Sequence, residues 1–99
     1  MSHTILFRLK ALEDYDEARL WYQSHNETTK TNFEKAIGQG LSKIATSPKA
    51  YIQRFEDVRM MPLKKFPYLI CYRVDDIKKI VTVIAVWHQA RDRDAIQLR

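Results

Sequence analysis

The order of hydrophobic and polar positions predicts a strand and then two helices in the first half of the chain. The segment of residues 4–9 is short and rich in residue types that favour β-strands, which predicts a first strand. From Ala11 to about His25, apolar residues recur every three or four positions, which indicates a helix whose acidic start complements the helix dipole. A second apolar stripe at helical spacing begins at Phe33 and ends before Ser47-Pro48, where proline stops the helix.

A polar break over residues 26–31 separates the two predicted helices. Thr31 and Glu34 have the spacing of a capping box, and Thr28 and Thr29 are alternative first residues. Because the break is short, the two helices are expected to form an antiparallel hairpin.

After Pro48 the pattern becomes typical of strands. It predicts strands over residues 58–63, 68–74 and 79–87, with a polar turn between the last two. The last of these is nearly continuously apolar, which indicates a central strand and not an edge. Together the elements predict an α+β fold: a strand, a helix hairpin and an antiparallel three-strand meander, with the helices on one face of a four-stranded sheet. The pattern leaves open which edge the first strand joins.

The composition indicates one soluble globular domain over residues 1–99. The apolar fraction is 45% and the charged fraction 29%, which argues against disorder and coiled coils. No stretch approaches the roughly 20 apolar residues that span a bilayer. Basic residues interrupt the only apolar run near the start, which argues against a signal peptide. Cys71 is the only cysteine, so it forms no internal disulfide; this fits the cytoplasm, and Cys71 is expected to pack in the core.

Positive charge is concentrated in the second half of the chain. The net charge is +5, and residues 51–99 contribute ten basic and six acidic groups to it. Such an imbalance favours an anionic partner, either nucleic acid or an acidic protein. A basic, solvated surface without a partner is the alternative.

The predicted meander brings basic residues from two segments together. Its first turn and the end of its last strand lie at the same end of an antiparallel sheet. Lys64 and Lys65 in that turn are therefore expected at one rim with His88 and Arg91, and Arg59 lies a few residues back from it.

This basic set is suited to binding or cleaving a phosphodiester. Cations neutralise phosphate, and a histidine transfers protons near neutral pH. Arg59, His88 and Arg91 are the candidate catalytic residues of a ribonuclease, although the second acid–base group is not evident. The alternative is a structural, hydrogen-bonding His88 with solvated lysines. The three histidines lack metal-ligand spacing, so no metal or other cofactor is expected.

Trp21 and Tyr22 are adjacent on the first predicted helix. Neighbouring residues on a helix do not face the same side, so one of these aromatic rings is expected outside the core. An exposed aromatic ring at this position is a candidate anchor for a partner protein, and a position at the rim over the core is the alternative.

The chain resembles the RelE/ParE toxin superfamily of type II toxin–antitoxin systems, often called plasmid stabilisation proteins. The resemblance rests on several short segments and on the order in which they follow one another. The matching segments are Trp21-Tyr22, Phe33 with its apolar stripe, Pro48 with Tyr51, Val58-Arg59, residues 66–72 (FPYLICY) and residues 85–92 (AVWHQARD). The resemblance extends from Ala11 to Asp94.

The resemblance implies a small basic toxin that is neutralised by an acidic, partly disordered antitoxin. RelE-like members cleave mRNA on the ribosome, often with a tyrosine at the end of the chain, and ParE-like members act on DNA gyrase. Here the chain ends Ile96-Gln97-Leu98-Arg99, so the terminal aromatic residue is absent.

The leading hypothesis is therefore a ParE-like gyrase inhibitor. The alternatives are a metal-independent, ribosome-dependent mRNA endoribonuclease, or mRNA interferase, and a non-toxic basic module that binds an acidic partner. In the leading hypothesis Lys64, Lys65 and Arg91 contact the target, and Trp21 and Tyr22 contact the antitoxin.

Overall fold

Five strands, two α-helices and two short 3-10 helices make up residues 2–99, the part of the chain that the computed structural model describes. They follow in the order β1 (Thr4–Phe7), α1 (Leu9–His25), α2 (Glu27–Thr46), a 3-10 helix (Pro48–Ala50), β2 (Ile52–Arg54), β3 (Val58–Pro62), β4 (Tyr68–Asp75), β5 (Ile80–His88) and a C-terminal 3-10 helix (Arg93–Leu98). The α+β class is confirmed.

The strands form one mixed sheet in the order β1-β5-β4-β3-β2. The antiparallel meander β3-β4-β5 and the internal position of β5 are confirmed. The expectation of four strands is wrong, because β2 pairs antiparallel with β3 through Ile52 and Met60. All residues of β2 are exposed, so it carries no alternation of apolar and polar positions that a sequence pattern could reveal. The sheet is also not purely antiparallel, since β1 joins β5 in parallel with Thr4 opposite Ile80.

The two helices are joined at one residue, Asn26, and not by the polar break over residues 26–31. The Asn26 side chain accepts a hydrogen bond from the Thr29 backbone N–H at 3.1 Å and so caps α2. The capping box at Thr31 is wrong; Thr31 lies inside the helix and donates to the Glu27 carbonyl. The first helix also begins earlier than predicted, at Leu9. Neither helix of residues 2–99 is long and apolar enough to cross a membrane.

The main core lies between the helix pair and one face of the sheet. It contains Phe33, Ile37 and Ile44 from the predicted stripe of α2, and Ala11 and Ala18 from α1. They pack on the sheet residues Met61, Ile70, Tyr72, Val81, Val83 and Val86 and on Leu63, which directly follows β3. The expectation that both helices cover one sheet face is confirmed.

A second, smaller core lies on the other face of the sheet. Leu69, Cys71, Ile84, Ala85 and Trp87 form it with residues of β3, and Ile96 of the C-terminal 3-10 helix covers it. A β-bulge between β4 and β5 shifts the register, so that the neighbours Ile84 and Ala85 both belong to this core. The buried position expected for Cys71 is confirmed.

Candidate functional site

A cleft of about 430 Å³ opens between α1 and the adjoining ends of β4 and β5. We call it the histidine cleft; it is lined by Asp14, Glu17, Ala18, Leu20, Trp21, Tyr68, Val86, His88 and Arg91. Two of the three candidate catalytic residues, His88 and Arg91, are therefore together, and α1 adds carboxylates to them.

His88 ends β5 and lies directly opposite Tyr68 at the start of β4. The centroids of their rings are 5.0 Å apart in an edge-to-face arrangement. The Ala90 backbone N–H donates to Nδ1 of His88 at 3.0 Å. Because Nδ1 accepts this bond, neutral His88 carries its proton on Nε2 and offers a hydrogen-bond donor there.

Tyr68 supplies the cleft with a second titratable group. Burial, reinforced by the neighbouring Tyr22, Glu17 and Asp14, raises the pKa of the Tyr68 hydroxyl. Tyr68 therefore stays protonated at neutral pH and acts as a donor. Sequence reasoning missed Tyr68, because its register opposite His88 depends on the β-bulge between β4 and β5, which the predicted strands over residues 68–74 and 79–87 do not reveal.

The two carboxylates of the cleft differ in their contacts. Asp14 accepts two hydrogen bonds from Arg99, at 2.8 and 3.1 Å, and a third from the Val86 backbone N–H at 3.1 Å. Asp14 is thus a structural residue. Glu17 forms no ion pair with any residue of the described range 2–99, which leaves it available to a ligand.

Arg91 lies at the mouth of the cleft. Its guanidinium carbon is 3.7 Å from the centroid of the Trp87 ring, a cation–π contact that holds the head group beside the end of β5. The Arg91 side chain is exposed, so it can present its charge to an anionic partner while resting on the indole.

Arg59 is not part of this site. It lies opposite Tyr72, four residues along β4 from Tyr68, which is about 13 Å at the rise of a strand. Its guanidinium donates to the carbonyls of Lys49 and Tyr51 at 3.1 and 2.9 Å and to the Gln53 side chain at 3.2 Å. Arg59 lies a few residues back from the rim, as expected, but these bonds hold its side chain against the segment that leads into β2 and away from the histidine cleft.

Lys64 and Lys65 lie at the predicted end of the sheet but line a different cavity. The Gln89 backbone N–H donates to the Pro67 carbonyl at 2.8 Å, so the turn before β4 does adjoin the end of β5. Both lysines line a groove between α2 and β3 instead of the histidine cleft. Their expected role in target binding stays a prediction.

Trp21 and Tyr22 point in different directions, as expected for neighbours on a helix. Trp21 is 58% exposed, stacks on His25 and lines the histidine cleft. Tyr22 packs inward against Phe33, Phe66 and Tyr68. Of this pair, only Trp21 offers a large surface to a partner.

No group of three or more His, Cys, Asp or Glu side chains within residues 2–99 is arranged to hold a metal ion. The side chains of the histidine cleft themselves supply hydrogen-bond donors, groups that can transfer protons and a positive charge.

Comparison with known proteins agrees with the fold and the order of these segments. The model of a family described as the ParE toxin of the type II toxin–antitoxin system parDE matches residues 5–93. A search of curated proteins gave no match.

Solved structures of toxin–antitoxin proteins share the architecture. A chain of the chromosomal ParDE system from P. aeruginosa aligns with a TM-score of 0.74 at 14% identity, over 88% of this chain and 96% of that chain. A chain of the intact E. coli RelBE toxin–antitoxin complex aligns with a TM-score of 0.62 at 22% identity, over 91% and 100%. The RelBE2 complex from Mycobacterium tuberculosis gives 0.61 at 15% identity, over 89% and 99%. At these identities the matches show a common fold.

The family model covers nearly the whole chain, including both helices, β2 to β5 and all of β1 except Thr4. The chain therefore belongs to the ParE toxin family within the RelE/ParE superfamily, the toxins of type II toxin–antitoxin systems.

Proposed function

We propose that this toxin is ParE-like in its action: it binds and inhibits DNA gyrase and has no hydrolytic chemistry of its own. The match of residues 5–93 to the ParE toxin family model carries the proposal.

The distribution of basic residues supports the same proposal. Arg59 is bound to backbone carbonyls, and Lys64 and Lys65 line a separate groove, so His88 and Arg91 lack the other cations expected for phosphodiester cleavage. Stabilising a charged transition state requires several donors at one position. Spread over two cavities, these cations are better suited to contacts across a wide protein surface.

A cognate antitoxin is the second partner in this proposal. Structural relatives include chains of toxin–antitoxin complexes from E. coli and M. tuberculosis. The net charge of +5 suits an acidic antitoxin, and the exposed Trp21 gives such a partner an aromatic anchor.

The test is a supercoiling assay with purified gyrase and relaxed plasmid. Increasing amounts of the toxin are expected to stop supercoiling, and pre-incubation with the antitoxin encoded beside its gene is expected to restore it. An Arg91→Glu variant is the matched control, because reversal of this exposed charge at the cleft mouth weakens contact with the target. Unchanged supercoiling at saturating toxin would reject the proposal.

Ribosome-dependent mRNA cleavage is the alternative that the histidine cleft favours. It unites His88, Tyr68, Glu17 and Arg91. In this mechanism His88 first takes up a proton at Nδ1, giving up its hydrogen bond from Ala90, and the imidazolium then donates the Nε2 proton to the leaving oxygen. Glu17 accepts the proton of the 2′-hydroxyl, and Arg91 neutralises the phosphate. Tyr68 donates a hydrogen bond to the phosphate group.

Cleavage of mRNA on translating ribosomes tests this alternative. If it holds, His88→Ala lowers the cleavage rate by about 100-fold or more, which is typical of the loss of a general acid. Arg59→Lys is the control, since Arg59 is outside the cleft and the change keeps its charge. Equal rates for the wild type and His88→Ala would remove His88 from any catalytic role.

Pulse labelling of a bacterial host separates the two targets directly. After the toxin is induced alone, thymidine incorporation is expected to fall before methionine incorporation if gyrase is the target. The reverse order would indicate mRNA cleavage. Normal growth with normal incorporation of both thymidine and methionine would leave only the hypothesis of a non-toxic module that binds an acidic partner.

A further inference from the structure

The first helix, α1, buries small side chains and exposes large apolar ones. Its two buried residues are both alanines, Ala11 and Ala18. Three leucines of the same helix, Leu9, Leu12 and Leu20, are 72%, 46% and 52% exposed. With its exposed tryptophan, α1 holds four of the eight large apolar side chains that are exposed within residues 2–99. Single exposed leucines are common on protein surfaces, but several on one helix mark an interaction surface.

The exposed leucines of α1 lie along one side of the helix. Each residue turns the helix by about 100°, so Leu9 and Leu20 project within about 20° of each other and are about 16 Å apart along the axis. Leu12 lies beside them, and the buried alanines project to the opposite side. Leu98 of the C-terminal 3-10 helix is also exposed and lines one cavity with Leu9. We call these four residues, Leu9, Leu12, Leu20 and Leu98, the leucine stripe.

Carboxylates accompany the leucine stripe. The helix α1 contains four acidic and two basic residues, so it is negative in a chain whose net charge is +5. Glu13 projects on the same side as the stripe, and Glu17 lies at its edge. Neither forms an ion pair within residues 2–99, whereas Arg19 is already paired with Asp16 at 3.1 Å. An occupant of the stripe therefore needs apolar side chains with basic groups beside them.

A second copy of this chain fits the stripe poorly. In a two-fold symmetric, antiparallel pair of α1 helices, the contact that places Leu9 on Leu20 also places Glu13 on Asp16. Like charges that face each other oppose such a contact. The same carboxylates repel nucleic acid, whose phosphates are negative. The charge of the stripe thus favours a different protein with a basic surface.

We propose that the leucine stripe docks a basic amphipathic helix, of about three turns, from the protein target of the toxin. The proposal rests on the proposed function in one respect: gyrase is the target expected to supply this helix. Leu20 also lines the histidine cleft. The stripe therefore adjoins the position at which Arg91 is proposed to contact the target.

The test of the surface uses a synthetic peptide of about 14 residues, with leucines at helical i, i+3, i+4 and i+7 spacing and lysines beside them. Binding to the isotope-labelled toxin is followed by amide chemical shifts. The expected shifts map to α1 between Leu9 and Leu20 and to Leu98. A peptide with glutamate in place of every lysine is the matched control and is expected not to bind there.

Removal of leucine side chains tests the apolar part of the contact. Leu9→Ser/Leu20→Ser is expected to weaken binding of the basic peptide roughly tenfold or more. Ile52→Ser/Ile77→Ser removes two exposed apolar side chains from other elements and is expected to change it less than about twofold. Because all four side chains are exposed, circular dichroism is expected to show the same fold in both variants.

Charge reversal tests the carboxylates. Glu13→Lys/Glu17→Lys is expected to weaken binding of the basic peptide roughly tenfold or more at low salt. Glu56→Lys/Asp76→Lys makes the same change in net charge at exposed positions outside α1 and is expected to weaken it less than about twofold. Glu13→Gln/Glu17→Gln, with an intermediate loss, keeps the test valid if the reversed variant misfolds.

Three outcomes of these measurements would overturn the proposal. The first is a basic peptide that does not shift the amides of the stripe. The second is equal weakening by the α1 variants and their controls. The third is a toxin dimer in sedimentation experiments that Leu9→Ser/Leu20→Ser dissociates, which would make a second copy the occupant.

The supercoiling assay connects the stripe with the target. About tenfold more of the Leu9→Ser/Leu20→Ser variant than of the wild type is expected to be needed for the same inhibition, and Ile52→Ser/Ile77→Ser is expected to inhibit like the wild type. Equal inhibition by Leu9→Ser/Leu20→Ser and the wild type would overturn the proposal and leave the proposed function intact. A wild-type toxin that binds the peptide at the stripe but leaves supercoiling unchanged would refute the proposed function alone.

Discussion

At the residue scale, the most consequential contact joins the two ends of the fold. Asp14 of α1 and Arg99 at the end of the chain form a bidentate ion pair, and their side chains are only 11% and 14% exposed. Asp14 also accepts from the Val86 backbone N–H, and Arg99 donates to the Ile84 carbonyl at 3.0 Å. One pair thus connects α1, β5 and the C-terminal 3-10 helix.

Asp14→Ala is expected to lower the free energy of unfolding by about 2–4 kcal/mol, because it leaves the Arg99 charge and the Val86 N–H without their partner. Urea denaturation followed by circular dichroism measures the loss. Asp16→Ala is the matched control: Asp16 is exposed and pairs only with Arg19 on its own helix, so its loss is expected to cost less than about 1 kcal/mol. Equal losses in both variants would contradict this role of Asp14.

At the scale of elements, local sequence marks the interior of a helix better than its ends. The stripe of Phe33, Ile37 and Ile44 was recognisable because burial imposes a period of 3.6 residues. The start of α2 was misplaced, since both Asn26 and Thr31 belong to residue types that can act in capping. The position of α1 decides between the two capping residues. Because α1 ends at His25 and α2 begins at Glu27, the chain reverses direction at Asn26.

Asn26→Ala is expected to destabilise the protein by about 1 kcal/mol, because the Thr29 N–H loses its acceptor. Thermal unfolding monitored by circular dichroism detects the change. The control is Thr31→Ala, which removes only a bond to a carbonyl inside the helix and is expected to be near neutral. A larger effect at Thr31 would restore the capping box that the sequence suggested.

The C-terminal 3-10 helix is the element that closes the second core. Ile96 is completely buried there, and its neighbour Leu98 is 86% exposed. Ile96→Ala is expected to cost about 2–4 kcal/mol through lost burial and the cavity left behind, and Leu98→Ala less than about 0.5 kcal/mol. Chemical denaturation of both variants measures the difference. Similar, small losses of stability in the two variants would mean that the C-terminal 3-10 helix does not cover the second core.

At the scale of the whole molecule, burial makes the fold sensitive to alkaline pH. Burial raises the pKa of the Cys71 thiol from 9.0 to about 12 and that of the Tyr72 hydroxyl from 10.0 to about 12. Both groups keep their protons longer in the folded state than in the unfolded state. Their contribution to stability is therefore complete below pH 9 and is lost as the pH rises toward 12.

The expected result is a free energy of unfolding that declines between pH 9 and pH 12. Urea titrations at a series of pH values measure it. Cys71→Ala is the control variant: its stability at neutral pH is lower, and its decline is expected to begin nearer pH 10, where tyrosine first ionises in the unfolded chain. A flat profile up to pH 12 in the wild type would contradict the burial of both groups.

The sequence by itself determined the elements that local chemistry defines. A helical period, a proline stop and a β-rich apolar run identify α2, β4 and β5, because each leaves a repeated signal along the chain. The central position of β5 followed from its continuous apolar character. The adjacency of the β3–β4 turn and the end of β5 followed from the geometry of an antiparallel meander.

Only the tertiary structure decided which side chains share a site. Arg59 and His88 both belong to the basic second half of the chain, yet Arg59 is bound to the carbonyls before β2, while His88 lines one cleft with Tyr68 and Glu17. The groove lined by Lys64 and Lys65 likewise combines α2 with β3 and its loop, which a 3-10 helix and β2 separate along the chain. Which side chains come together at a site depends on the packing of α1 and α2 on the sheet and on the parallel addition of β1 to β5. Neither of these produces a repeated pattern of residues along the chain.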